Sequence, residues 1–398
     1  MNGTAKNTLR WIFERIRNSQ GGAKRATARS HQDIESLEPR VVLSVSSPAI
    51  PSATTTTTTT PTTPPTTTNP TPPPPPPSLL LGALGALGVV PGNPPPPLPA
   101  GTTPSAQLKT DTQKLQADSL AIQSTSGVNV SEMTAILQDE QTIIKAGVML
   151  DPKALLKVTD EIARGVLANN TTTAKSDFAA LFGTKLTSTV IDKIFADECH
   201  VVKDSKITVT QLNTIATDQA AIQKDLTAMG VKPPAPPAPP PPPTGTPTQL
   251  DKDTQKLRTD IQTVQSTSLV TVAALTALGG DDQAVVVAGI KLDGKALLKA
   301  TDGLVRAVLN GNPAPAKADF VALFGGKLTT AAVDKAFNDM VQIVKDSKIT
   351  LAQLNTIAAD NAAIQADLIA AKITAPTPPP PSLAGALALL GVIPAPPG

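Results

Sequence analysis

The chain has 398 residues with 34 basic and 32 acidic side chains, a net charge of +2 that excludes a polyanion binder as a whole. One cysteine and two histidines exclude an internal disulfide and leave too few ligands for most zinc sites. With one Trp, no Tyr and seven Phe, any core must be built of Leu, Ile, Val and Ala, which suits packed helices.

The first segment, 1–50, is a basic arm. It carries Lys or Arg at seven positions from Lys6 to Arg29 against one acid, Glu14. Such an arm fits nucleic acid, an anionic membrane or the charged part of an export signal. The residues that follow favour export. "LEPRVVLS", Leu37 to Ser44, resembles the LEPR-x-LL N-terminal domain of planctomycete surface and secreted proteins. The resemblance rests on Leu37, Glu38, Pro39, Arg40 and Leu43, and departs at Val42, where the pattern has leucine. It covers only the arm. It implies sorting to the cell envelope or outside, and it implies no activity.

Residues 51–104 form a Thr/Pro-rich stalk interrupted by one short apolar insert, 78–90, "SLLLGALGALGVV". A tract of threonine and proline buries too little apolar surface to offset its ordering entropy, so an extended, disordered stalk is expected. A second proline-rich linker spans 231–247, and a proline-rich tail, 374–398, carries another apolar insert at 382–393. A bilayer crossing needs about 20 apolar residues. Neither insert is that long, so no transmembrane span is expected. Docking onto a neighbouring helical domain, self-association and interfacial membrane contact are the three uses open to them.

Between these segments lie 105–230 and 248–373. Shifting the sequence by 142 positions aligns 107–230 on 249–372 without a gap, with more than half the residues identical. Each copy is long enough for its own core. Apolar residues recur at helical spacing throughout: Leu108, Leu115 and Ile122; Leu155, Val158, Ile162 and Val166; Ile191, Ile194, Phe195 and Val202; Leu212, Ile215, Ile222 and Leu226. Start signals agree, with Asn129 and Glu132 spaced as a cap and its acid, and Asp151 ahead of Pro152. The expected fold is all-α: two tandem copies of a five- or six-helix bundle, as separate compact bodies joined by Pro-rich disordered linkers.

The string "KDSKIT" occurs at 203–208 and again at 345–350. Thr208 with Gln211, and Thr350 with Gln353, have capping-box spacing, so the string reads as a turn and a helix start. A calcium loop is a poor fit, because it would place Val202 at a ligand position and Ser205 where glycine is required.

Adjacent Cys199 and His200 suggest a nucleophile and base, but neighbours on a helix diverge by about 100°. The second copy has Val341 and Gln342 there. Asp160 with Arg164, repeated as Asp302 with Arg306, reads as a surface ion pair. Asp177, Asp192 and Asp197 recur as Asp319, Asp334 and Asp339, and could meet at a cation only if separate helices converge. No phosphate loop, nucleophile elbow or zinc signature is present. The sequence therefore assigns no catalytic, cofactor-binding or metal residue. Its site residues are those of the targeting motif.

The functional expectation is a non-enzymatic exported or cell-surface modular protein with a structural or adhesive role. Its partner would be a protein or envelope component, and not nucleic acid. The competing expectation is a carrier holding a small apolar ligand in each bundle.

Overall fold

A computed structural model describes residues 79–91, 104–231, 248–370 and 381–394. The Leu37–Ser44 motif, most of the Thr/Pro stalk and the linker 232–247 lie outside the described residues. The described residues form fourteen helices and no strand, so the fold is all-α.

The first half comprises α1 (Leu79–Ala86), α2 (Ala106–Gln123), α3 (Val130–Lys145), α4 (Pro152–Leu167), α5 (Thr172–Ala180), α6 (Ser188–Asp204) and α7 (Val209–Ala228). The second comprises α8 (Gln249–Gln265), α9 (Val272–Val287), α10 (Gly294–Leu309), α11 (Ala314–Ala322), α12 (Thr330–Ser347), α13 (Leu351–Ala370) and α14 (Leu383–Leu389).

Local chemistry starts these helices where the sequence indicates. The Asn129 side chain accepts the Glu132 N–H while Glu132 accepts the Asn129 N–H, which satisfies two orphan donors of α3. Asp151 accepts from Lys153 and Ala154 at the start of α4, and Asp293 from Lys295 and Ala296 at the start of α10. "KDSKIT" is an interhelical turn. Ser205 ends α6, with its buried hydroxyl donating to Val202 O and accepting from Ile207 N. Lys206 turns the chain at φ 57°, Ile207 is buried, and Thr208 caps α7. Ser347, Lys348, Ile349 and Thr350 repeat every feature.

Lys206 sits in the left-handed region, where a side chain is penalised and glycine is not. Replacing Lys206 with glycine should therefore change stability by less than about 1 kcal/mol. Proline there should cost about 3 kcal/mol or more, because it cannot reach positive φ. Urea melts of both variants provide the comparison.

Each half packs in the same way. α2 lies along α7 and α8 along α13; α3 packs on α6 and α9 on α12. Salt bridges clamp the same pairs of helices. The Lys114 ammonium lies 2.5 Å from the Asp218 carboxylate, and Lys256 2.6 Å from Asp360. Phe178 stacks edge-on with Phe182 near Phe195, as Phe320 does with Phe324 near Phe337.

The halves are not separate bodies. Val130 N donates to Val270 O at 2.8 Å and Val272 N donates to Val128 O at 2.7 Å, which brackets an antiparallel bridge between Asn129 and Thr271. These are equivalent positions of the two copies, so exchanging the halves maps one bond onto the other. The join has the form of a twofold interface built inside one chain. α2 meets α9 and α3 meets α8 around it, and the buried apolar residues of both halves form one continuous cluster. The sequence reading of separate bodies fails here for a simple reason. Val128 and Val270 sit in turns and Val130 and Val272 are the first residues of α3 and α9, where helical periodicity carries little information, yet all four are fully buried.

Candidate functional site

Two features stand out as places where the chain does more than repeat a bundle. The first is the pair of apolar inserts. α1 packs against α3 and α4; α14 packs against α9 and α10, the equivalent helices. Leu80, Leu84, Val89, Leu383, Leu387 and Val392 are all fully buried. Of the three uses read from sequence, docking is the one the described residues adopt.

The seats are polar at both ends. A carboxylate of α3, Glu140, accepts the Leu80 N–H at the start of α1. Its equivalent on α9, Asp282, accepts from Leu383 N at 2.6 Å and Ala384 N at 3.1 Å. An acid suits this position because the first turn of a helix has N–H groups without intrahelical partners. At the far end, the Gln219 amide donates to Ala86 O and the Asn361 amide to Leu389 O. Gly88 and Gly391 then reverse the chain at φ 75° and 73°, so that Val89 N reaches Leu84 O and Val392 N reaches Leu387 O.

These glycines are required twice over. A Cβ on Gly391 would lie 2.5 Å from Ile357 Cδ1, in addition to the strain of its positive φ. Gly391→Ala should cost about 1–2 kcal/mol. Limited proteolysis after residue 370 should speed up accordingly as the segment lifts off.

The second feature exists in the first half alone. Ligand-type atoms of Glu132, His200 and Asp204 lie within 4.8 Å of one another, beside a shallow cleft of about 170 Å³ that Ala135, Ala196 and Asp197 help to line. Burial, and then the Asp204 carboxyl beside it, push Glu132 up to about 7. Two residues before His200 on α6, Glu198 is fully buried, and neither of its oxygens has a hydrogen-bond partner among the described residues. Burial, reinforced by Asp139 and Glu140, raises it to about 8. The second half has Ala274, Met340 and Gln342 in place of Glu132, Glu198 and His200.

Cys199 is half-buried, and desolvation followed by the Glu198 charge pushes its thiol up to about 11, so it is a poor nucleophile at neutral pH. His200 is exposed. The recurring acids do not converge. Asp192 pairs with Lys175 and Asp197 with Lys193, as Asp334 does with Lys317 and Asp339 with Lys335. Arg164 reaches Asp160 at 2.7 Å and also donates to Asn213, tying α4 to α7. Arg306 does the same with Asp302 and Asn355.

Sequence reasoning missed the Glu132–His200–Asp204 trio, whose members come from two helices far apart in the chain. It also missed Glu198, although the signal was there: an acid stands where the other copy has Met340, on the apolar face of the same helix. Among the described residues no helix is long and apolar enough to cross a membrane. Comparison with protein-family models, curated proteins and solved structures finds no match.

Proposed function

We propose that this is a non-enzymatic, exported modular protein with a structural or adhesive role at the cell envelope or surface. One observation carries the reading. The features kept in both halves include the caps, interhelical ion pairs, phenylalanine clusters and seats for the inserts, all of them scaffold. The chemistry-bearing side chains Glu132, Glu198, Cys199 and His200 all become Ala, Met, Val or Gln in the second half. A catalytic purpose served by both copies would have kept them. The basic arm and the Leu37–Ser44 resemblance support export.

A carrier would need an open apolar groove in each bundle. The groove bounded by α3 and α4, and its equivalent by α9 and α10, is filled by the chain's own inserts. Solvent extraction of the purified protein followed by mass spectrometry should therefore yield no stoichiometric lipid or pigment. Fractionation of the native cells tests compartment: the protein should appear in the envelope or medium. Full-length chain retained in the cytosol, basic arm included, would overturn the proposal.

A further inference from the structure

We propose that each insert groove is a binding site for the insert of a second copy of this chain, so that molecules link by exchanging helices. The proposal does not depend on export.

The two inserts share the pattern L-x-x-A-L-x-x-L-G-V-x-P, from Leu80 to Pro91 and from Leu383 to Pro394. They sit in equivalent grooves in the same polarity and register. Acid matches acid at the N-terminal seat, Glu140 and Asp282, and amide matches amide at the C-terminal seat, Gln219 and Asn361. Both reverse at a glycine with positive φ packed on the same isoleucine position, Ile215 or Ile357.

What differs is the tether. The first insert precedes its bundle and is joined to it through 92–103. The second follows its bundle and is joined through 371–380. Chain connection therefore does not dictate how the segment seats. The groove recognises the twelve-residue pattern itself, whichever end it is delivered from. A segment arriving from another molecule presents the same atoms in the same order.

Exchange of a docked element between identical chains leaves every contact intact, so only concentration and tether entropy separate the closed from the linked form. At about 3.1 Å per residue, a ten-residue tether such as 371–380 would span at most about 30 Å, which sets the range over which the C-terminal insert could be exchanged. Reciprocal exchange of C-terminal inserts between the second grooves of two molecules closes a dimer. Non-reciprocal exchange grows a chain.

The test is a titration of a fluorescently labelled peptide of residues 381–395 against the full chain carrying Leu84→Asp, whose own N-terminal insert cannot seat. Saturable binding at one site per chain is expected, at least tenfold tighter than to the wild-type chain. A peptide carrying Leu387→Asp should bind about a hundredfold more weakly. If Leu84→Asp lowers the helical circular-dichroism signal, Leu84→Ala replaces it in the same titration. Absence of peptide binding to a helical variant would overturn the proposal. So would wild-type chain that stays monomeric by light scattering after partial thermal opening and slow cooling at about 1 mM, where tethered and free segments compete on comparable terms. Linked species that vanish when 382–398 are removed would support it.

Discussion

Glu198→Met should stabilise the chain by roughly 2–4 kcal/mol at pH 7.5. Glu198 lies on the buried face of α6 with neither carboxyl oxygen partnered, while the second half buries Met340 at the same place. Methionine therefore fits this helix position sterically, and the substitution removes a desolvated acid without leaving a void. The sign of the pH dependence follows from the raised value. Glu198 ionises at about 8 in the folded chain, against 4.5 for an ordinary glutamate. Between those values the folded state holds a proton that the unfolded state has released, so stability falls as pH rises through this window. Below about 4.5 both states are protonated and the ionisation has no effect.

Asp139, raised to about 6 chiefly by burial, and Glu132, raised to about 7, act in the same direction and remain in the variant. The measurement is consequently a comparison of slopes. Urea midpoints of the wild type should fall from pH 5 to pH 8, and those of Glu198→Met should fall clearly less. Equal slopes would show that Glu198 is not the buried acid responsible.

Leu387→Asp should cost as much stability as deleting 382–398, about 3–5 kcal/mol for each. Leu387 is fully buried in α14, so a carboxylate there would lie in an apolar groove without a partner. Holding it in place would cost several kcal/mol. The chain has a cheaper route, since α14 is joined to α13 only through residues 371–380 and can leave the groove. The loss is therefore capped at the docking free energy, and truncation measures that cap directly. Leu387→Ala, which only shortens the side chain, should fall below it at about 2–4 kcal/mol. A Leu387→Asp loss well beyond that of truncation would mean the segment cannot undock, and helix exchange would fail with it.

Most of the bundle was legible because its signals are local. Asn129 with Glu132, Asp151 with Ala154 just past Pro152, and Thr208 with Gln211 each complete their hydrogen bonds within three residues, so spacing alone finds them. The apolar stripes of α4 and α6 repeat every three or four residues, and their buried sides are those the spacing marks. The inserts were legible as apolar and too short to span a bilayer. Their destination was not, because α1 meets Glu140 sixty positions away and α14 meets Asp282 a hundred positions away. The candidate site was the least legible part. Glu132, His200 and Asp204 are brought together only when α3 packs on α6.

The sequence alone determined the helical class, the duplication and the helix starts, because caps, periodicity and internal identity involve neighbours in the chain or a fixed offset. Tertiary structure decided the rest: that the halves share a twofold join at Asn129 and Thr271, that the inserts fill grooves, and that Glu198 is buried without a partner. Each of these depends on which surfaces meet across long sequence separations. Burial is a property of the assembled core, and no single helix carries it in its own spacing.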